Sequence, residues 1–340
     1  MLKKKFKKIL LIPVAIKIKE KNFKNYFKCF FYDIRVILKN FLLTRKATKS
    51  TQGYIDSAIH SNAYVLELPY IYSIIFSKIL NLIFDGIFIH WKFTSDRNDK
   101  NINLKLIKLS KKFSIKKIIV DGRDTSLSKI ENEVLDKFDF VIKQHRNKSI
   151  NNKKYMTTML PLKSVNYEIS KKQEIINWNK IGKSKPNERF KYDVFFSGSP
   201  NNKKRSEVIE LLKSNEFNFY GGFQKLPFDE YIDTIYNSSI NLAIAGTGGA
   251  EFTFRHLEIL SCCSFMMCHN EINQIELPLP IKDGEHFVTF ENKEDLLEKI
   301  NYYLKNEHLR SKISLNGRET LEKYYSPKNH GNFIINRIFT

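Results

Sequence analysis

The stretch NLAIAGTGGAEFTFRHLEILSC, Asn241 to Cys262, contains residue types that can hold a phosphorylated sugar. Arg255 and Glu258 are three residues apart, so a helix would place them on one face. An Arg fork matches the oxygens of a diphosphate, and a carboxylate accepts hydrogen bonds from two sugar hydroxyls. The alternative is a glycine turn followed by a surface Arg–Glu pair, which contributes little to stability.

The residues before Arg255 predict how this pair is positioned. INLAIA is a continuous apolar run, which is typical of a parallel strand buried on both faces. Gly246, Thr247, Gly248 and Gly249 follow at its carboxyl end. Glycines allow backbone N–H groups to approach a ligand closely, and the next helix would point its positive end into the same space. The pattern therefore predicts an anion site at this strand end.

A second stretch, FFSGSPNNKKR, repeats the arrangement. Ser197 and Gly198 end an apolar run, and Lys203, Lys204 and Arg205 open a helical segment. Basic side chains at a helix start could bind an anion. The alternative is an ordinary capped helix with a solvated run of charge.

Both stretches fall within two successive series of alternating strand and helix patterns. The alternation predicts an α/β fold with two Rossmann-like domains facing across a cleft, where ligands bind at the carboxyl ends of the strands. We place the N-terminal domain at residues 1–165, a linker at 166–190 and the C-terminal domain at 191–325. Residues 326–340 are expected to form a helix that packs back on the N-terminal domain.

Two N-terminal stretches bear on membrane contact. Residues 1–50 are basic and aromatic, and they could rest on an anionic membrane or pack as an ordinary helix with a solvated Lys face. They lack a small-residue cleavage site, so we do not interpret them as a signal peptide. LPYIYSIIFSKILNLIFDGIFIHW is the most apolar region, and Lys78 and Asp85 interrupt it. We expect a buried helix followed by a buried strand here, rather than a transmembrane span.

The composition fits a globular protein with a preference for polyanions. The chain has 340 residues, 42% of them hydrophobic, which suffices for two cores. The formal net charge of +21 favours nucleotide phosphates, anionic lipid or nucleic acid, although a general compositional bias towards Lys would produce the same excess. Four cysteines lack metal-ligand spacing, so we expect buried thiols in a reducing compartment.

From Tyr192 to about Asn332 the chain resembles the C-terminal domain of GT-B glycosyltransferases of the group 1 type, including spore-maturation-like and exostosin-like enzymes. The matching pieces are YDVFFSGSP, the glycine-rich segment with its Arg and Glu, DGEHFVTFENKEDLLEKINYYLKNEHLRSKISLNGRE and the closing YYSP. Their order and spacing agree with the family.

The resemblance implies a nucleotide-sugar donor held by the C-terminal domain. Glu258 would bind the ribose, Arg255 and Arg205 would face the diphosphate, and the Gly246–Gly249 backbone would line the sugar phosphate. Related retaining enzymes often have two glutamates eight positions apart. Here Glu251 and Glu258 are seven apart, so the stereochemical outcome stays open.

The resemblance also implies that no metal or other cofactor is needed, because basic side chains and a helix end stabilise the leaving diphosphate. The chain has no D-x-D motif of the metal-binding kind. Candidate general bases are Asp121 and Asp124 in DGRD, and His60; His145 is a further rival. A simple turn at DGRD is the alternative interpretation.

We therefore predict a cytoplasmic glycosyltransferase with peripheral contact to the inner face of an anionic membrane. It would transfer sugar to a cell-envelope glycan or another glycoconjugate, including a lipid-linked acceptor. The competing hypothesis is a basic nucleic-acid- or anion-binding protein without catalysis. We expect no nucleic-acid partner, because no recognition-helix, zinc or RNP-like pattern is present.

Overall fold

A computed structural model describes residues 7–12, 63–68, 70–91, 99–121, 123, 126–143, 146–157, 190–200, 202–245, 252–277, 279–325 and 327–340. Its described strands form two larger parallel sheets, one from each half of the chain, and one two-stranded sheet. The fold is α/β with two Rossmann-like sheets, as the alternating pattern predicted. The linker expected at 166–190 lies outside the described residues except for Phe190.

The N-terminal sheet has the order β2-β1-β3-β4-β5-β7, and its neighbouring strands pair in parallel. Its strands are β1 (Lys7–Ile12), β2 (Ala63–Glu67), β3 (Gly86–His90), β4 (Lys116–Asp121), β5 (Phe140–Lys143) and β7 (Tyr155–Thr157). The helices of this half are α1 (Tyr70–Ile75), α2 (Ser77–Ile83), α3 (Asp99–Ser110) and α4 (Asn132–Leu135).

The start of the chain was not predicted to be a strand, and the structure corrects this. Residues Ile9 to Ile12 of β1 are fully buried between β2 and β3. A run of four apolar residues buried on both faces is what an internal parallel strand requires. The lysines around it made the segment look like part of a basic surface helix.

The C-terminal sheet has the order β13-β11-β10-β8-β9, again with parallel pairs. Its strands are β8 (Tyr192–Ser197), β9 (Phe219–Gly222), β10 (Ser238–Ala243), β11 (Met266–His269) and β13 (Val288–Phe290). The helices are α5 (Lys203–Lys213), α6 (Phe228–Tyr236), α7 (Phe254–Ser261), α8 (Lys293–Lys305), α9 (Glu307–Tyr325) and α10 (Pro327–Phe339). When the five strands are renumbered 1 to 5 along the chain and read from β9, the order is 2-1-3-4-5. In this order the switch point lies between β8 and β10.

Two features join the halves. Strands β6 (Arg146–Asn147) and β12 (Ile275–Glu276) pair antiparallel, and an Arg146–Glu276 ion pair accompanies them. Helix α10 packs Ile334, Ile335 and Ile338 into the core on one face of the N-terminal sheet.

The apolar region after residue 68 is not the buried helix that its composition predicted. It forms α1 and α2, which join at Phe76, and several of its large apolar side chains are exposed. The strand that follows, β3, is buried as predicted. Among the described residues, no helix is both long enough and apolar enough to cross a bilayer.

Candidate donor site

The carboxyl ends of β8 and β10 bring the two predicted anion-binding stretches together. The two strands are direct neighbours, with Asn241 opposite Phe195. Because the chain leaves them towards opposite sides of the sheet, a crevice opens at this point. The loop after Ser197 and the residues after Ala243 therefore meet at the switch point.

Arg205 connects the two strand ends. Its guanidinium donates from Nη1 to the carbonyl and the hydroxyl of Ser199, both at 3.2 Å, and from Nη2 to the carbonyl of Ile244 at 3.0 Å. Asn202 makes a parallel connection from Nδ2 to the carbonyl of Ala245 at 3.1 Å. The hydrogen bonds of both terminal nitrogens of Arg205 thus fix the two strand ends relative to each other. The buried positive charge of Arg205 lies beside the crevice.

Arg255 approaches the same place from α7. Its Cζ lies 5.1 Å from the centre of the Phe196 ring, and the Cζ of Arg205 lies 5.8 Å from that same centre. The Nε atoms of both arginines are buried without a hydrogen-bond partner in the described chain. Burial, and next the positive charge of Arg255, lower the pKa of Arg205 to about 10. Two like charges around one ring are unfavourable unless an anion joins them.

Glu258 lies one turn after Arg255 on the same helix, as the i, i+3 spacing predicted. Its Oε2 accepts a hydrogen bond of 2.9 Å from the hydroxyl of Tyr231 on α6. Burial raises the pKa of Glu258, against the lowering effects of the Tyr231 hydrogen bond and of Arg255. Burial, then the charge of Glu258, raise the pKa of Tyr231 well above its usual value, so the phenol stays a donor. The carboxylate is therefore fixed in orientation.

The start of α7 is fixed by a capping box. The Nδ1 of His256 accepts a hydrogen bond of 3.0 Å from the backbone N–H of Thr253, and the Thr253 side chain accepts from the helix in return. The His256 ring also stacks on Phe252, with 4.7 Å between ring centres. This local packing fixes the direction in which Arg255 and Glu258 project.

The serine and glycine after β8 have specific structural roles. The hydroxyl of Ser197 donates to the carbonyl of Gln224 at 3.3 Å. A Cβ on Gly198 would lie 2.8 Å from Cζ of the Phe196 ring and 3.3 Å from Nη1 of Arg205. A side chain at Gly198 would therefore displace the ring or the guanidinium on which the site depends.

Asp121, a predicted general base, ends β4 in the N-terminal half and is fully buried. Arg123 donates to both of its carboxylate oxygens at 2.8 Å, and Nζ of Lys143 lies 3.3 Å from Oδ2. Burial favours the neutral acid, but Arg123 and Lys143 outweigh it and lower the pKa of Asp121. A buried carboxylate bound to two cations is a weak proton acceptor, so this arrangement favours a structural role.

Several predicted residues lie outside the described part of the chain. They include the glycine-rich loop, which consists of Gly246, Thr247, Gly248 and Gly249, and the nearby Glu251. They also include the candidate bases Asp124, His60 and His145. Their roles stay predictions. Within the described ranges, no group of three or more His, Cys, Asp or Glu side chains could hold a metal ion.

The cysteine prediction holds in part. Cys262 and Cys268 are buried free thiols, whereas Cys263 is partly exposed, and Cys29 lies outside the described residues. Burial raises the pKa of Cys262 to about 12, so this thiol stays protonated near neutral pH.

Sequence reasoning missed Phe196 and Tyr231. Phe196 is an apolar residue in a buried strand, and its contacts with two arginines depend on strands that are adjacent only in the fold. Tyr231 lies on an amphipathic helix, where an aromatic residue normally indicates core packing. No local signal distinguishes either residue from its neighbours.

The chain is similar to known glycosyltransferases in part of its sequence and in its fold. Residues 204–336 match a family model described as "Glycosyl transferase-like". No curated protein matched the chain in sequence.

Three solved structures share the fold over most of the chain. An alpha-glucosyltransferase in complex with UDP and a mismatch-containing 13-mer DNA aligns with a TM-score of 0.53 at 11% identity, covering 98% of this chain and 100% of that one. An alpha-glucosyltransferase in complex with UDP-glucose and abasic-site DNA gives 0.50 at 8% identity, covering 99% and 100%. An alpha1,3-fucosyltransferase gives 0.50 at 12% identity, covering 92% and 82%.

The C-terminal half thus carries a glycosyl transferase-like domain, and the whole chain has the GT-B fold. Solved glycosyltransferases share this fold with the chain.

Proposed function

We propose that the protein transfers a hexose from a nucleoside diphosphate sugar to an acceptor hydroxyl, with the donor diphosphate bound between β8 and β10. The supporting observation is the buried Nε of Arg255, which has no partner in the described chain and lies beside a second buried guanidinium. An unpaired buried donor is costly, and a diphosphate would supply the missing acceptors.

The roles of the other residues follow from this placement. Glu258, held by Tyr231, would accept hydrogen bonds from the ribose hydroxyls one helical turn from the diphosphate. Arg205 would shape the crevice and add its charge, since both of its terminal nitrogens are bound to Ser199 and Ile244. The Gly246–Gly249 loop would complete the site around the sugar phosphate.

The reaction needs no electron carrier. The acceptor oxygen forms a bond to the anomeric carbon, the bond from that carbon to the donor phosphate oxygen breaks, and the nucleoside diphosphate leaves with the electron pair. We propose that the Arg255 and Arg205 charges stabilise the leaving diphosphate, so that no metal is required. The acceptor proton goes to a base, for which Asp124 and His60 stay candidates; Asp121 is less suited because two cations engage it.

For the acceptor, we favour a cell-envelope glycan or another glycoconjugate at the inner face of an anionic membrane. The formal charge of +21 supports attraction to such a surface. DNA is the second candidate, because two structures of the same fold are glucosyltransferases bound to DNA, and because the same charge suits a nucleic-acid backbone. These complexes conflict with the expectation of no nucleic-acid partner.

A thermal-shift screen against UDP-, GDP-, ADP- and CMP-linked sugars tests the donor. A true donor raises the melting temperature, and the increase grows with the logarithm of its concentration relative to its dissociation constant. Donor hydrolysis by wild type, Arg255→Ala and Glu258→Ala then tests the site. Loss in both variants is expected, and unchanged hydrolysis in both would remove the assignment.

The acceptor is tested separately with labelled donor. Label transferred to a lipid-linked glycan supports the favoured acceptor, and label transferred to duplex DNA supports the second one. Binding of DNA in a salt-sensitive gel shift, with no donor binding at all, would support the non-catalytic alternative instead.

A further inference from the structure

Helices α1 and α2 expose an unusual amount of apolar surface. Six large side chains, 46 to 88% exposed, project from this segment of the N-terminal half. They form what we call the α1–α2 surface: Ile71, Ile75, Phe76, Ile79, Leu82 and Ile83. Large contiguous apolar patches on a protein surface generally mark contact with a partner or a membrane.

The exposure arises because the segment carries large apolar residues on both its inward and its outward side. The fully buried positions of this segment are Ser73, Ser77 and Leu80. Partly buried large residues of the segment pack against the same core: Tyr70, Tyr72, Ile74 and Phe84. The large residues at 71, 75, 79 and 82 recur at three- and four-residue spacing and therefore share the opposite face. An ordinary surface helix would have a polar outward face.

The segment is nevertheless firmly attached. Asn81 donates from Nδ2 to the carbonyl of Lys112 at 2.8 Å and accepts at Oδ1 from the backbone N–H of Ser114 at 2.9 Å. The hydroxyl of Ser73 donates to the carbonyl of Leu68 at 3.2 Å. The outward face is thus a fixed feature of the fold.

The charges around the surface identify its partner. No acidic residue occurs from Tyr70 to Phe84. Lys78 is exposed on α2 itself, and exposed Lys112 lies beside α2, because its backbone carbonyl accepts a hydrogen bond from Asn81. Exposed Lys111 precedes Lys112 in the chain. Apolar side chains with a surrounding set of lysines match an anionic lipid surface, where both acyl chains and headgroup charges are available. A second copy of this chain, also at +21, would instead be repelled.

We propose that the α1–α2 surface docks on an anionic lipid bilayer, with its six apolar side chains in the boundary between headgroups and acyl chains. Neither helix is long enough to span a bilayer, so the contact is interfacial. This inference rests on the membrane-bound acceptor in the proposed function. It assigns the membrane contact to α1–α2, whereas the sequence pointed to residues 1–50.

Vesicle sedimentation of the full chain, without donor or acceptor, tests the proposal. The vesicles are phosphatidylcholine alone or phosphatidylcholine mixed with phosphatidylglycerol. Wild type is expected to bind the mixed vesicles. The Ile75→Glu/Leu82→Glu double variant is expected to bind at least about tenfold more weakly, because two inserted apolar side chains become charged.

A matched variant carries the same charges elsewhere. Leu315→Glu/Phe333→Glu also replaces two exposed apolar residues, on α9 and on α10, and α10 covers the opposite face of the N-terminal sheet from α1 and α2. Its vesicle binding should equal that of wild type. Ile75→Ser/Leu82→Ser repeats the test without added charge and should also lose binding.

Three results would overturn the proposal: no vesicle binding by wild type, an equal loss in the matched variant, or a wild-type dimer that only the α1–α2 variants dissociate. Nucleotide-dependent thermal stabilisation of the same variants should match wild type. Failure of vesicle binding with intact nucleotide binding would therefore reject the docking surface and leave the donor site standing.

Discussion

Replacing Arg255 with Met separates a ligand-binding role from a structural one. The guanidinium lies over the Phe196 ring, with its Nε buried and unpaired in the described chain. Methionine keeps an apolar stem of similar length against the ring and removes the charge. In the free protein the change therefore removes an unsatisfied donor and the repulsion with Arg205.

Arg255→Met is expected to weaken binding of the nucleoside diphosphate without lowering the free energy of unfolding. A hydrogen bond to a charged group contributes about 1.5–3 kcal/mol, so losing the Arg255 contact should raise the dissociation constant for the nucleoside diphosphate about tenfold to 150-fold. An unsatisfied buried donor costs about 1–3 kcal/mol. The free energy of unfolding of Arg255→Met should thus equal or exceed that of wild type.

Titration calorimetry with UDP and urea denaturation, both at one fixed salt concentration, measure the two quantities. Arg310→Met is the matched control, because buried Arg310 donates from Nη1 to the carbonyls of Leu304, at 3.0 Å, and Tyr303. This control should lose stability and keep its affinity for UDP. If Arg255→Met loses stability as Arg310→Met does, and binds UDP as tightly as wild type, the assignment of Arg255 to the diphosphate fails.

Three further predictions concern the same half of the chain and its terminal helix. Tyr231→Phe removes the hydrogen-bond donor to Glu258, so the pKa of Glu258 should rise further. As the pH is lowered, the variant should therefore lose its affinity for UDP at a higher pH than wild type does. An unchanged pH profile of UDP affinity would contradict this. In urea denaturation, Gly221→Ala should destabilise the protein more than Gly222→Ala. Both glycines have positive φ, but only a Cβ at Gly221 would meet a backbone atom, 2.0 Å from the carbonyl oxygen of Phe196. Equal losses of stability in the two variants would refute the clash. Burial lowers the pKa of His330 from 6.5 to about 4, so between these pH values the unfolded chain binds a proton that the folded chain does not. The free energy of unfolding should therefore fall by about 2 kcal/mol from pH 7 to pH 5. The His330→Gln variant should lack this part of the pH dependence, and an equal fall in both proteins would disprove the prediction.

The secondary structure of the C-terminal half could be predicted because its signals are local. Buried parallel strands appear as apolar runs, and the helices between them carry apolar residues at helical spacing. The same holds for Arg255 and Glu258, since three residues along a helix always place two side chains on one face.

The N-terminal half shows where local signals fail. In α1 and α2, the composition predicted burial. Packing decides which apolar residues face the domain, and here Leu80 is buried whereas Ile75 and Leu82 are exposed. Strand β1 pairs with β2, more than fifty residues later in the chain, so its internal position depends on partners that no short window contains.

The sequence by itself determined the strand–helix order of the C-terminal half, the basic charge and the Arg255–Glu258 pair, because each depends on residue type and short spacing. Only the tertiary structure decided that Arg205 and Arg255 share the Phe196 ring, that Tyr231 orients Glu258, and that Asp121 is bound by Arg123 and Lys143. These contacts arise where separate strands and helices meet, and their energies depend on burial and on neighbouring charge, which a linear pattern does not contain.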